Sequence, residues 1–133
     1  MSEVFADTAF FVAFLNSRDD HHTLASRYMS KMPGRIWTTD SVLTELGNCL
    51  ARSAQRVVFV PFVRDLLQDP RMQVVRATTE LFDAGLELYH DRPDKTWSLT
   101  DCISFVVMDQ QGLTDALTVD RHFEQAGFSL VLK

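Results

Sequence analysis

The sequence is short of cysteine, of basic residues and of long apolar runs, and each shortage narrows what the protein can be. Its two cysteines, Cys49 and Cys102, show no CxxC spacing and no histidine at ligand spacing, so neither a disulfide framework nor a zinc site is read. Each sits in an apolar stretch and is expected to be a buried, reduced thiol, which suits the cytosol. The longest apolar run, Ala9 to Leu15, is far too short to cross a bilayer. The N-terminus lacks the basic start and long apolar core of a secretory signal. The expectation is a soluble, cytoplasmic protein with no membrane partner. Lys and Arg total 13 against 18 Asp and Glu, for a net charge of −5. That balance argues against a general nucleic-acid coater, which needs cations for phosphate. It leaves open a site whose carboxylates hold metal, because a bound cation reverses the local sign. No repeat, low-complexity tract or linker interrupts the chain, and residues 1–133 are expected as one domain.

Phenylalanine is abundant, with 10 residues, and predicts a dense aromatic core. Short β-type runs alternate with helical patterns, the signature of βαβ units and a parallel sheet. Strands are expected at Val4–Ala6, Arg35–Thr38, Gln73–Arg76 and Ala116–Val119, with a last edge strand at Phe128–Leu132. Helices are expected at Thr8–Asn16, Asp20–Met32, from Asp40 or Ser41 to about Arg52, and over about 57–68 with Pro61 in the first turn. Further helices are expected at Thr78–His90, at Ser98–Gln111 up to Gly112, and from an Asp120 cap to Ala126.

The acids fall on this map in one place. Asp7 follows the first strand and Asp120 the fourth, and open parallel sheets bind ligands outside the carboxyl ends of their strands. Glu45 and Asp101 lie in the first turns of helices beside those strands. Each acid has a plain structural explanation: Asp7 and Asp120 as N-caps, Asp101 as the fourth residue of a Ser98 capping box, Glu45 as a solvated residue favoured by the helix dipole. The apolar flanks of Asp7 and Asp101 weigh against it, because a buried carboxylate needs a partner. Two carboxylates about 5 Å apart repel by roughly 3 kcal/mol at an effective dielectric of 20. Four in one cleft must protonate or bind cations, and all-oxygen ligands select Mg²⁺ or Mn²⁺. That chemistry suits phosphodiester hydrolysis.

Other candidates carry less. His21 and His22 are adjacent in a helix and do not share a face, which disfavours a joint metal site. Arg121 and His122 read as surface helix residues in reach of a phosphate. Lys31, Arg35, Arg52 and Arg56 are either a basic rim for RNA or scattered surface cations. Asp83, Asp91, Asp94 and Asp109 read as solvated, and Asp115 is a reserve fifth site acid. The Val57–Val63 stretch is either core or an interface for a homodimer.

Several blocks resemble the PIN-domain ribonucleases found as toxins in VapBC toxin–antitoxin modules. They are Phe5–Ala6–Asp7–Thr8–Ala9–Phe10, Thr44–Glu45–Leu46 after Thr38–Ser41, Ser98–Phe105, and Ala116–Phe123 running on to Phe128. The resemblance spans the chain, and its second half is the more specific. It implies a three-layer α/β/α sandwich with a central, mainly parallel sheet, a Mg²⁺ or Mn²⁺ site and endonuclease activity on RNA. By the same resemblance Asp7, Glu45, Asp101 and Asp120 form the acidic quartet, with Thr8, Asn48 and Thr118 in support. It further implies hydrolysis leaving a 5′-phosphate and a 3′-hydroxyl, and an antitoxin protein as partner. The rival reading is a catalytically silent module of the same fold that binds RNA or protein. Aspartyl-phosphate phosphatases are set aside, because they need Asp-x-Asp where this chain has Asp7–Thr8–Ala9, and receiver domains because no late strand-end lysine is found.

Overall fold

The computed structural model describes residues 3–132; residues 1, 2 and 133 of the expected 1–133 domain lie outside the described residues. Five strands form one sheet: β1 (Val4–Ala6), β2 (Ile36–Thr39), β3 (Met72–Val75), β4 (Asp115–Leu117) and β5 (Ser129–Leu130), in the order β3-β2-β1-β4-β5. Every pairing is parallel; Val4 stands opposite Ile36, and Phe5 opposite both Trp37 and Ala116. A strand buried on both faces reads as an unbroken apolar run, and Val4–Phe5–Ala6 is buried throughout.

Among the described residues seven helices make the connections: α1 (Thr8–Leu15), α2 (His22–Lys31), α3 (Asp40–Leu50), α4 (Arg56–Gln68), α5 (Thr79–Asp91), α6 (Leu99–Gln111) and α7 (Arg121–Gln125). The chain steps outward from β1 to β2 to β3, then returns past β1 to β4 and β5. Right-handed crossovers in opposite directions place helices on opposite faces of a sheet. In keeping with this, α1 packs on α2 and α3, and α3 on α4, while α5 packs on α6 and α6 on α7. The reversal makes a switch point between β1 and β4, where strand carboxyl ends leave a crevice.

The core is aromatic, as expected. Phe5, Phe10, Phe11 and Phe123 are fully buried. Phe105 stands edge-on to Trp97 and to Phe123, with ring centres 5.0 and 4.9 Å away. Phe123 also lies against Phe5, so one ring ties the short α7 to the central strand. Gly85 lets α5 approach α6 closely, since a Cβ there would fall 2.5 Å from Ile103 Cγ1.

Some boundaries differ from expectation. β4 ends at Leu117, so Thr118 and Val119 separate it from Asp120. β3 begins one residue early, and Arg76 lies just beyond its end. Pro61 lies past the first turn of α4, inside the helix. Cys49 is exposed, and only Cys102 is buried. Cys49 occupies the outer side of α3, whose inward stripe is Val42, Leu43, Leu46 and Leu50.

Candidate metal centre

Asp7 stands at the end of β1 as the residue before α1, yet its side chain caps nothing. Its Oδ2 instead accepts from the Thr118 hydroxyl at 3.1 Å, across the switch point. The Thr118 oxygen in turn accepts from the Asp120 N–H at 3.0 Å. Thr118 is fully buried, so one hydroxyl fastens two of the acids to the end of β4. Thr8, the next residue along, donates to Glu45 Oε1 at 2.6 Å and joins α1 to α3. Each threonine hydroxyl thus donates directly to one of the acids. Asn48 lies on the Glu45 side of α3, where it lines a hollow with Asp40, Ser41, Thr44, Ala77 and Thr100.

The structural explanations for Asp101 and Asp120 are real and do not exhaust either residue. Asp101 completes the capping box of α6: its Oδ2 accepts from the Ser98 N–H at 3.1 Å, and its own N–H donates to the Ser98 hydroxyl. Asp120 caps α7 through Oδ1, which accepts from the His122 N–H at 2.9 Å. Each cap uses one oxygen of its carboxylate. Among the described residues, Asp7 Oδ1, Glu45 Oε2, Asp101 Oδ1 and Asp120 Oδ2 accept no protein hydrogen bond. All four acids thus keep one oxygen for a ligand.

The charge is uncompensated. Asp7 and Asp101 are buried, and among the described residues no Lys or Arg pairs with any of the four acids. Burial pushes the Asp7 carboxyl up from 3.8 to about 7, opposed by the nearby Thr8 backbone amide and the Thr118 hydroxyl, with the charges of Asp101 and Glu45 adding to the rise. A carboxylate held in that field is stabilised by a cation. Ligand atoms of Asp101, Asp120 and His122 lie within 4.8 Å of one another. Asp7 and Glu45 lie outside that group of ligand atoms; Asp7 is tied to Asp120 through Thr118, and Glu45 accepts from Thr8, the residue after Asp7. The donor set is dominated by carboxylate oxygens and fits a hard divalent cation.

His122 is the residue the sequence understated. It reads as a surface helix residue, yet its Nδ1 lies 2.9 Å from Asp101 Oδ2. The signal was its place two residues after Asp120 and just before Phe123, whose burial turns α7 toward the site. Arg76 was also missed. It follows β3 at the same rim and pairs with Asp40 at 2.9 Å, and the strand-end rule that singled out Asp7 applies to it equally. Other expectations move away from the site. Asp115 opens β4, at the end opposite the rim. Lys31 and Arg35 come just before β2, at that same far edge, and Arg52 and Arg56 lie beyond the far end of α3. Of the four, Arg56 lines the α3–α4 groove with Asp40, Asn48 and Arg76. His21 and His22 are spent locally, His21 beside Asp19 and His22 against the Ala13 carbonyl.

Comparison with known proteins gives one family. The PIN domain matches residues 4–129. The 23S rRNA-specific endonuclease VapC20, from two strains of Mycobacterium tuberculosis, is 29% identical over 125 residues, covering 94% of this chain and 95% of VapC20. The crystal structure of VapC20, a toxin that cleaves the sarcin–ricin loop, superposes with a TM-score of 0.86 over 96% of this chain and 98% of that one. DNA-bound VapBC2 of Rickettsia felis and VapBC of Salmonella typhimurium share the fold, each with a TM-score of 0.68. Their identities are 14% over 97% of both chains, and 16% over 98% of both.

Proposed function

Because the chain belongs to the PIN-domain family of metal-dependent nucleases, we propose that it is an endoribonuclease whose Asp7, Glu45, Asp101 and Asp120 hold Mg²⁺ or Mn²⁺ against an RNA phosphodiester. The observation that carries the reading is the free oxygen kept by each of the four acids while its partner oxygen is fixed by the protein. The cation supplies Lewis acidity at that point: it acidifies water and neutralises the charge that builds on the phosphate under attack. The chain's own work is positional. Thr118 holds Asp7 and Asp120 in one register, Thr8 holds Glu45, and the α6 capping box holds Asp101. Water adds in line at phosphorus as the P–O3′ bond breaks, leaving a 5′-phosphate and a 3′-hydroxyl. No covalent enzyme intermediate is required.

We read residues 1–133 as one nuclease domain, supported by a single continuous core and by a family match over nearly the whole length. VapC20 acts on 23S rRNA, so ribosomal RNA is the first substrate to test. We assign the chain as the toxin of a VapBC-type pair. In support, α4 exposes Val57, Val60 and Leu67 beside a groove of about 700 Å³ that α4 forms with α3, an apolar surface suited to a protein partner. Its inner residues Phe59, Phe62 and Val63 pack on the core, so the stretch divides between core and interface. No helix among the described residues is long and apolar enough to cross a membrane; an RNA substrate and two free cysteines favour the cytoplasm.

The test is incubation of purified protein with ribosomal and total RNA in Mg²⁺ or Mn²⁺. Discrete fragments bearing 5′-phosphates are expected. Intact RNA, from folded protein free of any co-purified inhibitor, would favour the silent module.

A further inference from the structure

Among the groups at the rim, His122 is the one whose part in the centre is unassigned. Its Nδ1 lies 2.9 Å from Asp101 Oδ2 and 3.5 Å from Asp120 Oδ1. Its Nε2 lies 3.3 Å from the Thr96 hydroxyl. Both ring nitrogens are therefore engaged, one by a carboxylate and one by an alcohol that can donate or accept. The ring is held on both sides. Phe123, the next residue, is fully buried against Phe5 and Phe105, which fixes α7. Trp97, next to Thr96, donates to Gln125 Oε1 at 3.0 Å and ties the 96–98 segment to the same helix.

We infer that His122 is a positioning residue of the metal centre: its Nδ1–H donates to Asp101 Oδ2 and so turns Asp101 Oδ1 toward the cation. The inference rests on the four-acid reading above. A carboxylate oxygen can only accept, as Asp101 Oδ2 does from the Ser98 N–H, so the nitrogen facing it carries the proton. Thr96 then closes the chain by donating to Nε2. Two donors on Oδ2 leave Oδ1 as the ligand atom and lock the carboxylate's rotation. Outer hydrogen bonds of this kind tune metal affinity as well as ligand geometry. A histidine so occupied at both nitrogens has no lone pair to give the metal, which separates this role from direct ligation.

The experiment compares wild type with His122→Ala, His122→Asn and His122→Gln. Asparagine places its amide N–H where Nδ1 stands, whereas glutamine reaches toward Nε2. Calorimetric titration with Mn²⁺ is expected to show binding weakened about 10- to 100-fold in His122→Ala, largely restored in His122→Asn and not in His122→Gln. RNA cleavage should fall in kcat with KM unchanged. Pulsed EPR of the Mn²⁺-loaded wild type should show no directly bound nitrogen, and ¹⁵N NMR of the metal-free protein should show a proton on Nδ1. Unaltered Mn²⁺ binding in His122→Ala, equal weakness of the Ala and Asn variants, a change confined to KM, a bound nitrogen or a bare Nδ1 would each overturn the assignment. The NMR readout stands even if a variant fails to fold. Wild type that binds no Mn²⁺ would sink the four-acid reading itself, which the other outcomes leave intact.

Discussion

Asp7 is a buried carboxyl among like charges, and the effect of its shift on stability can be followed through pH. In the unfolded chain it releases its proton near 3.8; in the metal-free fold burial delays release to about 7. Below pH 4 both states are protonated and Asp7 has no effect. As pH rises from about 4 to about 7 the folded state holds the extra proton, so stability falls, and above 7 the full penalty is present. Unfolding of EDTA-treated protein should therefore show wild type and Asp7→Asn matched near pH 3. At pH 7.5 the variant should be the more stable, by on the order of 2–4 kcal/mol. Mn²⁺ should stabilise wild type far more than the variant. Thr118→Val tests the neighbouring link. It leaves the Asp120 N–H without its acceptor and Asp7 Oδ2 without its donor, so a loss of about 1–3 kcal/mol is expected, with weaker metal binding. Of these residues the acids were legible as single letters because strand ends and helix starts are. His122 was not: nothing local says that a residue of α7 meets a carboxylate of α6, and that contact depends on where Phe123 packs.

At the scale of elements, close approach decides more than propensity does. Gly85 sits inside α5, where alanine is the better helix former by about 1 kcal/mol. Its Cβ would nevertheless enter the space of Ile103 on α6, and overpacking typically costs about 1–3 kcal/mol. Gly85→Ala is expected to lower thermal stability, with Ile103→Ala in the same chain restoring part of the loss. Metal binding should be little changed, since the clash lies along the helix pair rather than at the α6 N-terminus. Element type and order were readable from apolar periodicity, because buried parallel strands and amphipathic helices differ in it. The ends were not. β4 stops at Leu117, where Thr118 leaves the ladder to donate to Asp7, and the pattern Ala–Leu–Thr–Val contains no mark of that turn. Pro61 is likewise expected in the first turn of its helix, yet it lies one turn further in, because α4 begins at Arg56.

For the whole molecule, charge and topology must be reconciled with a polyanionic substrate. The net charge is −5, and the cations expected to form a rim lie at the far edge or beyond the far end of α3. Arg76 and Arg121 are left nearer the rim, so the proposed RNA substrate is expected to be held through few phosphate contacts. The KM should rise only shallowly with salt, because the slope for single strands scales as about 0.7 per phosphate neutralised; a steep dependence would reveal a basic surface not recognised in this fold. The doubly wound order β3-β2-β1-β4-β5 brings the ends of β1 and β4 together, and this placed two of the four acids from sequence alone. The others needed the contact of α3 with α6, a long-range packing event that no spacing encodes. The most direct measurement of the proposed metal centre is the rate of RNA cleavage against Mn²⁺ concentration for wild type and Asp7→Asn, with EDTA as control. A saturable, EDTA-reversible rate in wild type that collapses by orders of magnitude in Asp7→Asn is the predicted result; cleavage undiminished by EDTA or by the substitution would contradict a metal centre built on these acids.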